Sequence, residues 1–328
     1  MQSWWMQMTE SATELALRDG PMPSPGPGQL LVRLHAAGLN RGEFLPEPAL
    51  RGKPAAWKAI GGEGAGEVVE VGAGVAGFRP GDRVMARCAG AFAECVLVDA
   101  AQAMAVPAGL TWEEAASIPL VFLVVHDMLV LQGRLRAGEW LLVNGVSSGV
   151  GVASLQLGKV LGARVIGTSG SADKLAALEP LGLELALCTR SPDFAPAVME
   201  ATGGHGVDLI VNAVGGSVFA EDVRTLAFEG RLATVGYVDG VLHADLDLEA
   251  LHARRLTLFG VSNKRRTAEQ RAAGVPRFIA EVMPHIAAGR IKPWIDRVFE
   301  FAHLPEAKAR MEAGQHIGKI VLRMPAAS

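Results

Sequence analysis

Small residues follow an apolar run between Leu141 and Gly151, where the sequence reads LLVNGVSSGVG. Small residues let the backbone approach a phosphate closely, and the amides and dipole of a following helix favour an anion. The same spacing would also suit a plain strand-to-helix turn. Because strands and helices alternate after this loop, we expect it to bind the pyrophosphate of a dinucleotide. The candidate phosphate-binding residues are Gly145, Ser147, Ser148, Gly149, Val150 and Gly151.

The next strand, ARVIGTS, ends in small residues where an NAD site usually carries an acidic residue. Ser169 lies at that end, Lys174 follows it, and Arg190 follows the third strand. Hydroxyls and cations suit the 2'-phosphate of NADP, which a carboxylate would repel. The alternatives are that Ser171 caps the next helix and that both cations are solvated. We favour NADPH over NADH as the cofactor.

The composition argues against several other classes of protein. A net charge of -3 without a basic block disfavours a nucleic-acid partner. No uninterrupted apolar run is long enough to span a membrane, and the first residues lack the pattern of a secretory signal. The cysteines, Cys88, Cys95 and Cys188, have no CxxC spacing and fit a reducing compartment. We therefore expect a cytoplasmic protein with no membrane partner and no structural zinc.

The chain changes character along its length. Before about Leu110, short runs with strand character alternate with turns rich in Gly and Pro, which indicates a mostly β domain. Thr111 begins a helix-capping signal, and apolar residues at helical spacing follow it. From Trp140 strands and helices alternate, which predicts a parallel sheet covered on both faces. The closing strand, KIVLRM, needs a partner sheet and is expected to return to the first domain.

Several segments, in this order, resemble the medium-chain dehydrogenase/reductases of the zinc-independent quinone oxidoreductase type. They are HAAGLNRGE (35–43), GGEGAGEVVEVGAGV (61–75), the stretch 140–168 and the tail HIGKIVL (316–322). The resemblance implies an α/β protein with a GroES-like, mostly β catalytic domain and a doubly wound Rossmann domain. The GroES-like domain would comprise residues 1–117 and 264–328, and the Rossmann domain residues 118–263. The resemblance also implies a homodimer, paired through an edge strand.

The chain departs from the zinc-dependent members of that superfamily. Gly62 stands where those members carry a histidine ligand, and their early cysteine is replaced in GLNRGE. The loop tyrosine that donates a proton in related enoyl reductases is missing, because Tyr237 is the only tyrosine. Val124 and Val125 replace a Thr-Ala pair that lies near the nicotinamide in the family. We expect neither a metal ion nor a tyrosine proton donor.

The resemblance and the strand ends supply the remaining candidate residues. Asn40 is expected beside the nicotinamide or the acceptor, although an Asn in such a turn is as often structural. Lys319 is expected to reach the cofactor by analogy. The candidates beyond the later strands are Asn212 and Val214 near the adenosine or its ribose, Tyr237 in the cofactor cleft, and Ser262 and Asn263 beside the nicotinamide.

These observations predict an NADPH-dependent reductase of quinones or related α,β-unsaturated carbonyls. A quinone suits a site with no evident acid–base pair, because water can protonate the weakly basic oxygen that hydride transfer leaves. One alternative is an enone, alkenal or enoyl-type reductase, which delivers hydride to carbon. A second alternative is a non-catalytic NADPH-binding sensor, because a fold does not fix a function.

Overall fold

The computed structural model describes residues 1–8, 13–44 and 55–325. The strands are β1 (Gln2–Met8), β2 (Thr13–Asp19), β3 (Gln29–Gly38), β4 (Lys58–Ala59), β5 (Glu63–Val71), β6 (Arg83–Arg87), β7 (Cys95–Asp99), β8 (Ala103–Ala105), β9 (Trp140–Asn144), β10 (Arg164–Ser169), β11 (Leu183–Cys188), β12 (Val207–Asn212), β13 (Leu226–Thr234), β14 (Thr257–Gly260), β15 (Ile295–Glu300) and β16 (Lys319–Arg323). The helices are α1 (Trp112–Ala116), α2 (Pro119–His126), α3 (Gly149–Val160), α4 (Ala172–Leu178), α5 (Ala195–Ala201), α6 (Phe219–Thr225), α7 (Leu248–Ala253), α8 (Ala268–Ala272), α9 (Val275–Glu281), α10 (Met283–Ala287) and α11 (Leu304–Glu312).

The chain divides into two compact units. The first consists of Met1–Leu120 together with Pro293–Ser328, and the second of Val121–Lys292. The sequence pattern grouped residues 264–292 with the first of these, whereas the structure groups them with the second. Two contacts explain the grouping: the His126 ring nitrogen lies 2.7 Å from a Glu281 carboxylate oxygen, and the Gln156 side chain forms two hydrogen bonds with the Lys292 backbone.

The first unit is built on a mixed sheet in the order β15-β16-β3-β5-β6-β8, with β7 also paired to β3. A smaller sheet has the order β2-β1-β4. The closing strand β16 pairs antiparallel with β3 and parallel with β15, which confirms that it returns to the early sheet. Strands far apart in sequence therefore lie side by side in this unit, and they carry a polar cluster around Lys319.

The second unit contains a parallel sheet in the order β11-β10-β9-β12-β13-β14. Every residue of β9 is buried, as expected for a central strand covered on both faces. The order reverses direction between β9 and β12, and ligands of doubly wound folds bind beyond the strand ends at such a point. The predicted α/β architecture with a doubly wound parallel sheet is confirmed.

The apolar stretch after Leu110 folds differently from a single long helix. Thr111 forms the predicted capping box with Glu114 at the start of α1. The helix then stops, α2 restarts at Pro119, and a π-helical turn spans Asp127–Gln132. Proline lacks a backbone amide hydrogen and restricts the conformation of the residue before it, so it suits a helix start better than a helix interior. Within the described ranges, no helix has the length and apolar character needed to span a bilayer.

Candidate functional site

The loop between β9 and α3 forms a tight turn. Gly145 has a φ of +76°, in the left-handed region that favours glycine. The Val146 amide donates to the Thr168 carbonyl at 2.9 Å, and the Ser148 amide donates to the Gly145 carbonyl at 3.0 Å. Ser148 caps α3, because its Oγ accepts a hydrogen bond from the Gly151 amide at 3.0 Å.

The first turn of α3 has the geometry of an anion site. The amides of Gly149 and Val150 precede the first intrahelical acceptor, so they have no carbonyl partner within the helix. A Cβ on Gly151 would lie 2.3 Å from the Gly145 carbonyl oxygen, so the close packing of loop and helix requires glycine. The structure therefore brings the predicted phosphate-binding residues together around one helix start, where the helix dipole adds positive potential.

The end of β10 lies beside this loop. The Ser147 and Ser169 hydroxyl oxygens are 3.4 Å apart. A Cβ on Gly170 would lie 2.8 Å from Arg190 Nε, which shows that the Arg190 guanidinium is packed directly against the backbone there. A cation thus occupies the region in which an acidic residue would select NAD.

The alternative interpretation of this segment, in which Ser171 caps the next helix, also agrees with the structure. Ser171 caps α4, with its Oγ accepting from the Lys174 amide at 3.4 Å. The Lys174 side chain is partly buried in the first turn of this helix. Ser171 is therefore a helix cap, while Lys174 and Arg190 both lie close in sequence to a strand end of the second unit.

A buried polar network lies under the strand ends at the reversal of strand order. Asn144 and Asn212 are register partners on β9 and β12, and Thr168 is the register partner of Asn144 on β10. Asp222, on α6, is fully buried and accepts hydrogen bonds from both asparagine side chains. Burial raises the pKa of the Asp222 carboxyl well above its usual value, against the lowering effect of the two amides.

Asn212, which we expect near the adenosine, forms side-chain hydrogen bonds within the protein. Its Nδ2 donates to the Gly215 carbonyl at 3.0 Å and to Asp222, and its Oδ1 accepts from the amides of Val214 and Gly215. Asn212 is also only 1% exposed. Its side chain therefore stabilises the turn after β12, and the predicted places of Asn212 and Val214 near the adenosine remain predictions.

A pocket lies beyond the ends of β12 and β13. Tyr237 lines it and is 49% exposed, together with residues of the turn near Gly215 and of the segment 241–244. Val214 faces the phosphate loop, since a Cβ on Gly145 would lie 3.7 Å from Val214 Cγ2. These positions suit the predicted cofactor contacts, which remain predictions.

Ser262 and Asn263 lie past β14, at the edge of the sheet. The Ser262 hydroxyl accepts from the Lys264 amide at 3.3 Å, and Asn263 Oδ1 accepts from Arg266 at 3.4 Å. Both side chains therefore stabilise the turn that follows β14. Their predicted contact with the nicotinamide remains a prediction.

In the first unit, Lys319 is the centre of a second buried network. Its Nζ donates to the Leu39 carbonyl, to Asn40 Oδ1 and to Glu63 Oε1, each at 2.7 Å. Glu63 is fully buried, and its other oxygen accepts from the Leu120 amide at 2.7 Å. These three bonds use every hydrogen of the ammonium group, so Lys319 is first of all the partner of Glu63. The predicted contact between Lys319 and the cofactor is separate from these three bonds and remains a prediction.

Asn40, the predicted catalytic residue, joins two carboxylates. Its Nδ2 donates to Glu63 Oε1 at 2.9 Å and to Glu43 Oε1 at 3.1 Å, and its backbone amide donates to Glu43 Oε2 at 3.2 Å. Burial is the largest effect on Glu43 and raises the pKa of its carboxyl to about 7, helped by nearby Glu63 and opposed by Asn40 and Lys319. Glu43 can therefore hold or release a proton near neutral pH.

The same cluster shows why zinc does not fit here. A Cβ on Gly62 would lie 2.7 Å from Glu43 Oε1, so the Glu43 carboxylate fills the space that a side chain at position 62 would enter. Cys88 lies near both glutamates, and burial together with their charges raises the pKa of its thiol to about 12. Among residues 1–8, 13–44 and 55–325, no group of three or more His, Cys, Asp or Glu is placed to hold a metal.

Sequence reasoning missed three carboxylates: Glu43, Glu63 and Asp222. The first two had a signal, because each lies within a short motif that resembles the family, three residues after Asn40 and directly after Gly62. Asp222 had none, since an acid in VFAEDVRTLAF is expected on a solvated helix face.

A mostly β unit and a doubly wound α/β unit in one chain are typical of nucleotide-binding oxidoreductases. Comparison with known proteins identifies the family. The model for an alcohol dehydrogenase GroES-like domain matches residues 26–108, and the model for a zinc-binding dehydrogenase matches residues 149–278. The human synaptic vesicle membrane protein VAT-1 homolog is 30% identical over 94% of this chain and 82% of its own length. The chain belongs to the medium-chain dehydrogenase/reductase superfamily.

The chain is also similar to part of a much longer protein and to nearly the whole of a solved structure. A component of the phenolphthiocerol/phthiocerol polyketide synthase of Mycobacterium tuberculosis is 32% identical over 92% of this chain. The chain spans only 14% of the length of that protein. The structure of mycobacterial Rv1454c complexed with NADPH is 29% identical, superposes with a TM-score of 0.86, and is matched over 98% of this chain and 99% of its own.

Proposed function

We propose that the protein is an NADPH-dependent reductase that transfers hydride to quinones or related α,β-unsaturated carbonyls without zinc. The observation that carries this proposal is the strand end beside the phosphate loop, where the Arg190 guanidinium lies against Gly170 in place of an acid. A cation there attracts the 2'-phosphate that distinguishes NADPH from NADH. The similar structure of Rv1454c was solved with NADPH, which supports the same choice.

NADPH, when bound, supplies a hydride from its nicotinamide ring. The residues of this chain do the binding: the loop from Gly145 to Gly151 offers amides to the pyrophosphate, and Arg190 and Lys174 offer charge to the 2'-phosphate. Asn40 and its carboxylate partners provide polar groups in the first unit. A metal ion has no role in this scheme.

The experiment is NADPH oxidation at saturating quinone in metal-free buffer, with NADH run in parallel. We expect Arg190→Ala and Lys174→Ala each to raise the KM for NADPH about tenfold and to leave the KM for NADH nearly unchanged. Lys159→Ala is the control, because Lys159 pairs on the surface with Glu184 at 3.0 Å. Equal effects on both cofactors would contradict the proposed selectivity, and binding of NADPH without consumption would favour a sensor.

Glu43 favours an enone as the acceptor over a quinone. Reduced quinones take protons on oxygen from water, whereas hydride addition to an enone leaves an electron pair that must be protonated at carbon. A carboxyl group with a pKa near 7, hydrogen bonded to Asn40, suits that proton transfer. We expect Glu43→Gln to lower turnover of a small enone at least tenfold and to leave quinone turnover within about threefold of wild type. Equal losses with both acceptors would remove the argument for the enone.

We further propose a homodimer and a cytoplasmic location. Strand β14 lies at the edge of the sheet in the second unit, and an edge strand is a surface on which a second copy can pair. Light scattering of the purified protein measures the oligomeric state, and a monomer at micromolar concentration would contradict this part of the proposal.

A further inference from the structure

Asp222 is a buried carboxylate whose side-chain hydrogen-bond partners are both neutral amides. It lies on α6 with no exposed surface. One of its oxygens accepts from Asn144 Nδ2, and the other accepts from Asn212 Nδ2 at 2.9 Å. Both carboxyl oxygens of Asp222 act as acceptors in these bonds, so the carboxyl group fixes which end of each asparagine amide faces it.

The direction of these bonds determines what the two asparagines do on their other side. With both NH2 groups turned to Asp222, both side-chain oxygens point to the loops. Asn144 Oδ1 accepts from Thr168 Oγ1 at 3.0 Å, and that hydroxyl accepts from the amide of Gly145 at 3.3 Å. Gly145 is the first residue of the phosphate loop.

Asn212 does the same for the neighbouring turn. Its Oδ1 accepts from the amide of Val214 at 2.9 Å and from that of Gly215 at 2.8 Å. Gly215 has a φ of +131°, so the turn has a conformation that only glycine adopts readily. One carboxylate thus connects the turn after β9, through Thr168 on β10, with the turn after β12.

We propose that Asp222 is a positioning residue that orients Asn144 and Asn212 and thereby fixes the two loops of the second unit that bind NADPH. This inference rests on the proposed function, since it needs NADPH as the ligand of those loops. Asp222 itself is fully buried, so we do not expect it to contact the cofactor directly. Its effect passes through hydrogen bonds whose direction it imposes.

The test is the binding of NADPH alone, followed by its fluorescence, to the whole chain. Asp222→Asn turns an NH2 group toward an asparagine NH2 group, so one amide must rotate or lose its bond. We expect the Kd for NADPH to rise about tenfold or more, with kcat at saturating NADPH changed less than KM. Glu221→Gln is the matched control, because Glu221 is buried on the same helix but bonds to Ala195 and Arg224.

A double variant keeps the test decisive if the single variant folds poorly. In Asn144→Asp with Asp222→Asn, donor and acceptor exchange places, and every bond to Thr168 and Asn212 can form again. We expect this variant to bind NADPH within about threefold of wild type. An unchanged Kd in Asp222→Asn, or failure of the double variant to regain binding, would overturn the inference. A wild-type protein that does not bind NADPH would instead overturn the proposed function.

Discussion

Glu63 in the first unit and Asp222 in the second are both fully buried carboxylates, yet their partners differ. Glu63 lies 2.7 Å from the ammonium of Lys319, so its charge has an opposite charge beside it. Asp222 accepts from two neutral amides. Burying a carboxylate is costly in either case, but Glu63 has an opposite charge beside it, whereas Asp222 has only amide dipoles, and burial raises the pKa of its carboxyl.

The difference teaches what each carboxylate is suited to do. An ion pair is strong but tolerates rotation of the lysine, because an ammonium donates in three equivalent directions. Amides have two distinct ends, so a carboxylate held by amides controls orientation. The first cluster therefore stabilises charge next to Asn40, and the second sets the direction of hydrogen bonds under the phosphate loop.

The largest expected effect is the loss of the charged partner. Lys319→Met leaves Glu63 buried without its cation, which we expect to lower the free energy of unfolding of the first unit by about 3–5 kcal/mol. Tryptophan fluorescence during urea unfolding measures this change, because the first unit contains Trp4, Trp5, Trp57, Trp112 and Trp294. The control is Glu312→Gln, which breaks a surface pair with Lys308 and should cost less than about 1 kcal/mol. Equal losses of unfolding free energy in the two variants would show that the buried pair contributes no more to stability than a surface pair.

The second effect concerns the uncharged form of Glu43. Its pKa is raised from 4.5 to about 7, so between these values the folded protein holds a proton that the unfolded chain has released. Stability is therefore lost as pH rises through this window, by roughly 3 kcal/mol at about 1.4 kcal/mol per pKa unit. Glu43→Gln should flatten this slope in urea unfolding measured between pH 4.5 and 7.5. An unchanged slope would mean that another group titrates there.

A smaller loss is expected in the second cluster. Asp222→Asn turns an NH2 group toward an asparagine NH2 group and so disturbs one buried amide contact, and we expect a loss of about 1–3 kcal/mol in the second unit. Hydrogen exchange of the β9 and β12 amides measures it, and Glu184→Gln, in a surface pair with Lys159, is the control. A loss larger than that of Lys319→Met would reverse the comparison between the two clusters.

The smallest expected effect is that of metal removal, for which we expect no loss of activity. Activity should survive exhaustive chelation with EDTA, because Gly62 stands where the zinc-dependent members carry a histidine ligand and GLNRGE lacks their early cysteine. Turnover of NADPH before and after dialysis against the chelator measures this. Activity that disappears and returns only with added zinc would contradict the proposed metal-free chemistry.

The sequence predicted most of the second unit, because its information is local. A buried strand, a glycine loop and a capped helix lie within Trp140–Val160, and each is specified by neighbouring residues. The helical spacing after Thr111 did not predict that the segment divides into two helices, and Pro119 shows why the second begins where it does. Ser171 shows that one of the alternatives left open, a plain helix cap, is present in the structure.

The candidate site in the first unit could not be predicted in the same way. Lys319 and Asn40 are 279 positions apart, and only the pairing of β16 with β3 brings them together. Asp222 was missed for a related reason, since burial of an acid depends on amides from two distant strands. Local patterns report which residues can form a helix or strand, and they contain no information about such long-range hydrogen bonds.

The return of β16 to the early sheet also has a consequence for synthesis. A ribosome delivers the chain from its N-terminus, so Glu63 emerges 256 residues before Lys319. The second unit lies between them in the sequence and can fold on local contacts while the first sheet still lacks β15, β16 and the ammonium group of Lys319 beside Glu63. Completion of the first unit is therefore a late step in biogenesis, because β16 and its Lys319 are synthesised after the second unit.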